Sequence, residues 1–324
     1  MTATEGPLST EEFASAFVLS PRPKEFVAFW TEIRNHEHND WTEFGYFSRS
    51  ADSGKTWSPA ESLAADFSKV EHSYLSGVVL DSGAVGATWL DGREAAKTPY
   101  PAGHYHLMAA MLSPDGRYSG EKLIDDNVCT CCPTSTISLG NKMLISYRDR
   151  TDQEIRDMDT VGFDENLKID GPYSVHHDGW HINACPTNGP ALDTKNGNVV
   201  ITWYTAATVP LLLFASSVDG GKHFSSPEEI SGIPATVGHP AVALLADGSS
   251  IVAWIESGNP ESHLLARLIR NDGNLEPAVE IASGSAFGYP SMRAQGDGVL
   301  LAWMQADKSG PKLQLARIGL GRLR

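Results

Sequence analysis

The sequence predicts an all-β chain, a six-bladed β-propeller. Three observations carry that expectation: a sixfold repeat, hairpin-turn chemistry within the copies, and no helical period in any long window. Six short apolar runs each end in an aromatic residue followed by a pair that closes on a polar side chain. They are Val27 to Trp30-Thr-Glu32, Gly86 to Trp89-Leu-Asp91, Leu144 to Tyr147-Arg-Asp149, Val200 to Trp203-Tyr-Thr205, Ile251 to Trp254-Ile-Glu256 and Leu300 to Trp303-Met-Gln305. The six aromatics are separated by 59, 58, 56, 51 and 49 residues.

Each copy reads as strand, turn, strand, loop, strand. Asp81-Ser-Gly83, Asn196-Gly197, Ala246-Asp-Gly248 and Gly296-Asp-Gly298 supply the turn chemistry that reverses a hairpin. A third apolar run follows, as in Phe44–Ser48, Leu107–Leu112, Leu211–Ser216 and Leu264–Ile269. This is the pattern of a propeller blade. We expect one domain over 1–324, with blades at approximately 10–68, 69–125, 126–178, 179–233, 234–283 and 284–324 plus the N-terminal residues. The last copy ends soon after its third strand, Leu313–Ile318, so a fourth strand is expected from the N-terminus near Thr2–Ser9. That closure would remove an open sheet edge.

Composition narrows the function. The chain has 324 residues, 41% of them hydrophobic and 20% charged, which is globular. Its formal charge is −15, from 25 Lys+Arg against 40 Asp+Glu, so it repels phosphate backbones and nucleic acid is not an expected partner. No apolar run approaches the ~18 residues of a membrane span. Met1 to Pro7 lacks the basic and apolar regions of a signal peptide. The chain is read as a mature periplasmic or secreted form whose leader is not in this numbering, with a cytoplasmic location left open.

Ser50-Ala-Asp52-Ser-Gly54-Lys-Thr56-Trp57 matches the Asp-box pattern S-x-D-x-G-x-T-W at every defined position. Ser217-Val-Asp219-Gly-Gly221-Lys-His223-Phe224 keeps the Ser, Asp, Gly and aromatic, while Ser113-Pro-Asp115-Gly116 and Asn271-Asp272-Gly273 look like eroded copies. Over essentially its whole length the chain resembles the sialidase-like Asp-box (BNR repeat) superfamily of six-bladed propellers. The motif has a local reason: the carboxylate accepts backbone N–H bonds across a tight turn, and glycine supplies positive φ. It is read as a blade fastener and not as a catalytic group.

Propeller geometry then converts sequence position into place. Residues just before each first strand and just after each second strand should share one face. His72, Cys132, Cys185, His239 and Tyr289 open blades two to six, and Cys129, Cys131 and His181 lie close by in sequence. His36, His38, His104 and His106 are placed in loops after second strands, and Trp180 in a rim loop, where with His72 and Tyr289 it would wall a pocket.

A site rich in thiolate and imidazole suits a soft or borderline ion, copper or zinc, with Cu(I) among the options. Cys129, Cys131, Cys132 and Cys185, aided by His181 or His239, are the expected ligands. The rival reading is one or two disulfides, for instance Cys132 to Cys185, as an exported protein would allow. No nucleotide cofactor is expected.

The resemblance also implies an enzyme alternative, an exo-sialidase. Such enzymes grip a substrate carboxylate with three arginines and use a tyrosine nucleophile paired with a glutamate, with an aspartate as acid/base. Arg34, Arg93, Arg148, Arg150, Arg156 and Arg293 are on the predicted face, and Asp40 and Tyr289 would be acid and nucleophile. The chain departs from that pattern: Ser15 to Leu19 replaces the arginine-isoleucine-proline opening of the first blade, and no glutamate partner for Tyr289 is identifiable. Three functions therefore stand open: a propeller binding a metal at its rim, a glycoside hydrolase acting on a glycan, and a disulfide-locked interaction platform.

Overall fold

A computed structural model describes residues 15–34, 42–64, 71–98, 103–231, 236–284, 287–307 and 310–323. The expected strand at Thr2–Ser9, and His36, His38 and Asp40, lie outside these residues. The chain forms two compact units: residues 1–156, 160–172 and 182–187, and residues 157–159, 173–181 and 188–324. All six sheets are antiparallel and run in chain order, which is the six-bladed β-propeller fold.

The first sheet holds β1 (Ala16–Arg22), β2 (Glu25–Arg34), β3 (Thr42–Ser50) and β4 (Glu61–Ser62). The second holds β5 (His72–Val79), β6 (Val85–Asp91), β7 (Tyr105–Leu112) and β8 (Lys122–Val128). The third runs from β9 (Ser135–Leu139) and β10 (Lys142–Arg148) to β11 (Met158–Asp164) and β12 (Ile169–His176). The fourth comprises β13 (Ala191–Lys195), β14 (Asn198–Thr205), β15 (Leu211–Ser217) and β16 (Glu228–Glu229). The fifth comprises β17 (Thr236–Leu244), β18 (Ser250–Glu256), β19 (Ser262–Ile269) and β20 (Val279–Gly284). The sixth has three described strands, β21 (Ser291–Gln295), β22 (Gly298–Asp307) and β23 (Gly310–Gly319). No helix among the described residues is long and apolar enough to cross a membrane.

The repeated aromatics are structural. Trp89, Trp203 and Trp254 are essentially inaccessible, and each buries a large apolar surface between sheets. Burying an indole also buries an N–H, which must find an acceptor. Trp89, Trp254 and Trp303 solve this with the polar residue two places on, which shares their side of the strand: Nε1 donates to Asp91, Glu256 and Gln305 at 3.3, 2.8 and 3.2 Å. Trp203 donates instead to Asp178 at 2.8 Å, and the Tyr147 hydroxyl donates to Asp125 at 2.6 Å.

The loop after β3 folds as a side-chain-locked turn. Ser50 Oγ accepts the Gly54 N–H, Asp52 Oδ1 accepts the Thr56 N–H at 2.8 Å, and Asp52 Oδ2 accepts the Thr56 hydroxyl at 2.6 Å. Gly54 sits at φ +80°, and Trp57 Nε1 donates to its carbonyl. After β15 the pattern recurs: Gly221 donates to Ser217, and Asp219 accepts the His223 N–H and pairs with His223 Nδ1 at 2.7 Å. Phe224 closes that turn in the position of Trp57.

Two placements differ from expectation. His106 lies inside β7, opposite Asp91 of β6, and not in a loop. His239 lies within β17 and does not precede it. The register with β18 shifts on both sides of Gly238, and such a bulge re-aims one side chain. His239 takes φ +51°, as does Tyr74 beside a register shift in β5.

Candidate metal centre

The segment 129–134 joins β8 to β9 and is pinned at its start. Val128 bridges Asp149, Cys129 N–H donates to the Arg148 carbonyl at 3.0 Å, and the Tyr74 hydroxyl donates to the Cys131 carbonyl at 2.9 Å. The pinning turns three side chains inward. Cys129, Cys131 and Cys132 are 1%, 4% and 2% exposed and form a cluster of their own.

Cys129 Sγ lies 3.2 Å from Cys132 Sγ and 3.8 Å from Cys131 Sγ, and all three sulfurs fall within 4.8 Å of one another. These separations exceed the ~2.05 Å of a disulfide. The longer of the two equals the ~3.8 Å edge that sulfurs make when each lies ~2.3 Å from one tetrahedral ion, and the shorter falls below it. All four cysteines are free thiols, so the rival reading, a disulfide such as Cys132–Cys185, is not formed. Cys185 belongs to the same unit but is exposed, with its sulfur 4.0 Å from Thr130 Oγ1 and outside the three-sulfur group.

A buried cationic shell surrounds the sulfurs. Arg156 Nη1 donates to Cys129 Sγ at 3.2 Å, and its Nη2 donates to Glu154 at 2.7 Å. Arg150 reaches the other Glu154 oxygen at 2.6 Å, so one carboxylate bridges two guanidiniums. Arg148 donates to the Arg156 carbonyl at 2.7 Å. Arg148, Arg150 and Arg156 are 1%, 3% and 1% exposed. Burial opposes ionisation of Cys129, yet its hydrogen-bonded contacts with Cys131 and Cys132 and the Arg156 charge hold its pKa well below the ordinary thiol value. Cys131 is pushed up, first by its hydrogen bond to Cys129, and Cys132 is pushed up, first by burial.

The other predicted residues have these surroundings. His239 and Tyr289 meet in the second unit, with ring centroids 4.1 Å apart and nearly perpendicular. Asn188 Oδ1 accepts the His239 N–H at 2.8 Å. Burial lowers the His239 pKa to about 4, so the ring is neutral at pH 7, and its Nδ1 has no hydrogen-bond partner among the described residues. His181 is exposed. Trp180 is buried edge-on against Tyr204, and its N–H donates to Asp157. His72 is fully buried, with Nε2 3.4 Å from Asp91 and its ring edge against Phe44. Of the expected arginines, Arg93 binds both Asp91 and Glu121, Arg293 contacts the Met292 carbonyl, and Arg34 ends β2.

Sequence reasoning missed Glu154, which no motif marks, and the contact of Arg156 with a sulfur 27 residues away. It also missed Glu71, whose carboxylate accepts the Tyr105 hydroxyl at 2.6 Å. Burial raises the Glu71 pKa, and burial together with the Glu71 charge raises that of Tyr105.

No protein-family profile and no curated protein matches the sequence. Solved structures do match. The leech intramolecular trans-sialidase aligns over 99% of this chain and 71% of its own, with a TM-score of 0.60 and 10% identity. The intramolecular trans-sialidase of Ruminococcus gnavus aligns over 96% and 94%, with a TM-score of 0.59 and 9% identity. A protein of unknown function from Dyadobacter fermentans aligns over 96% of each chain, with a TM-score of 0.56 and 19% identity. These likenesses show the fold, a sialidase-like six-bladed β-propeller.

Proposed function

We propose that this chain is a metal-binding propeller that holds a soft ion, copper or zinc, through Cys129, Cys131 and Cys132, and serves metal handling or redox chemistry as an exported protein. The observation that carries the reading is the convergence of three buried sulfurs within 4.8 Å. Unbridged thiols packed this closely repel one another once ionised, and a cation at their centre turns that repulsion into attraction. Metal binding displaces thiol protons, so affinity would rise with pH.

The sialidase reading fits the residues less well. A substrate carboxylate needs free guanidiniums, whereas Arg93, Arg150 and Arg156 are already paired with Asp91, Glu121 and Glu154. Elemental analysis of protein purified anaerobically with reductant tests the proposal. About one copper or zinc per chain is expected, lost when Cys129, Cys131 or Cys132 is replaced by Ser and kept in Cys185→Ser. Protein that carries no ion and takes up neither added Cu(I) nor Zn(II) would reject it.

A further inference from the structure

We infer that Cys129 and Cys132 form a redox pair, a dithiol that reduces hydrogen peroxide and closes reversibly to a disulfide. The inference rests on sulfur geometry and holds whether or not the site carries an ion. Cys129-Thr-Cys131-Cys132 contains one Cys-x-x-Cys spacing, from Cys129 to Cys132, which is the spacing of dithiols that cycle between reduced and oxidised forms. Their sulfurs lie 3.2 Å apart, against 3.8 Å for Cys129 and Cys131. A disulfide needs ~2.05 Å, so the Cys-x-x-Cys pair has the shorter way to close. Cys131 and Cys132 are neighbours joined by a trans peptide, which sets their Cα atoms ~3.8 Å apart. That is below the ~4.4 Å at which unstrained disulfides begin. Of the three possible pairs in the cluster, geometry selects one.

Burial decides the oxidant. Both sulfurs are almost wholly buried, and Thr130 is the one residue of 129–132 that is not. A protein or glutathione disulfide is too bulky to bring a sulfur to either thiol, whereas hydrogen peroxide is close to water in size. A cysteine buried in apolar surroundings is inert, but Cys129 has the Arg156 N–H at 3.2 Å from its sulfur, which marks it as the attacking group. Cys129 Sγ attacks one peroxide oxygen: an S–O bond forms, the O–O bond breaks, and the other oxygen leaves with the thiol proton as water. Cys132 Sγ then attacks Cys129 Sγ: the S–S bond forms, the S–O bond breaks, and the second oxygen leaves with the Cys132 proton as water. Two electrons pass from the sulfurs to the peroxide. The disulfide leaves Cys131 as the remaining thiol of the three, so on the metal-binding reading oxidation would also discharge the ion.

The experiment treats full-length, reduced, metal-free protein with a slight molar excess of hydrogen peroxide and then unfolds it in acid. Free thiols are blocked with one maleimide, and disulfides are reduced and blocked with a second of different mass. Trypsin releases residues 123–142, which hold all three cysteines of the cluster. Cys131 should carry the first label, and Cys129 and Cys132 the second, so that the free thiols of this segment fall from three to one. Dithiothreitol applied before unfolding should return all three to the first label. Cys131→Ser should still lose both remaining thiols of the segment to peroxide. The first label on Cys129 and Cys132 after peroxide overturns the inference, as does the second label on Cys131 in place of either. Both readouts come from the unsubstituted chain and do not depend on a variant folding. A protein that forms this disulfide and binds no ion would reject the metal-binding proposal and leave the redox pair standing.

Discussion

At the scale of single residues, Glu154 ties the cationic shell together. Its two oxygens accept from Arg150 and Arg156 at 2.6 and 2.7 Å, and its side chain is 15% exposed, against 3% and 2% for its partners. Removing a carboxylate from between two buried cations deprives each of a charged partner, a loss far larger than that of a surface ion pair. Glu154→Gln should therefore lower stability by about 3 kcal/mol, read as a shift of the urea midpoint at unchanged slope. A loss under about 0.5 kcal/mol would mean that Glu154 acts as an ordinary surface residue. Glu154 was not legible because nothing in the sequence distinguishes it from the chain's other carboxylates; only the fold brings it between two arginines. The cysteines were legible, since Cys129, Cys131 and Cys132 cluster in sequence as well as in space. Which groups face their sulfurs was not, because Arg156 is 27 residues from Cys129, with β9 and β10 between them.

At the scale of elements, the repeat explains why the blades could be read directly. Each aromatic fills a blade core, and the polar residue two places on accepts the N–H of Trp89, Trp254 and Trp303, so one physical need writes the same pattern repeatedly. His239 escaped that reading because a bulge at Gly238 is a local backbone event; a Cβ there would meet Asn188 Oδ1, the acceptor of the His239 N–H. The turn after β3 yields a prediction of its own. The Thr56 hydroxyl and N–H, and then Ser50, lower the Asp52 pKa to about 2. The unfolded chain's aspartate titrates near ~3.9, so the folded state favours the carboxylate. The sign is that of a depressed acid: stabilisation is full above about pH 4 and fades as pH falls toward about 2. Asp52→Asn lacks this contribution at every pH. Its thermal midpoint should lie below the wild type's by a constant margin at neutral pH, and the two should converge under acid. A margin that persists undiminished at pH 2 would show that the turn depends on shape and not on charge.

At the scale of the whole molecule, the charge of −15 sets the response to salt. Two opposing effects meet. Screening weakens the repulsion among excess carboxylates, which raises stability, and it weakens surface ion pairs such as Arg317–Asp297, which lowers it. The strongest pairs, Arg150–Glu154–Arg156 and Arg93–Asp91, are mostly buried and lie beyond the reach of mobile ions. Exposed pairs contribute little even without salt. Repulsion should therefore dominate, because it acts over the ~30 Å Debye length of a ~0.01 M solution and is largely cut off at the ~8 Å length of ~0.15 M. The thermal midpoint, followed by calorimetry at pH 7, should rise by a few degrees over that range. It should rise less at pH 5, where some of the carboxylates begin to take up protons and the excess charge shrinks. A midpoint that falls with added salt would place the balance with the surface pairs instead.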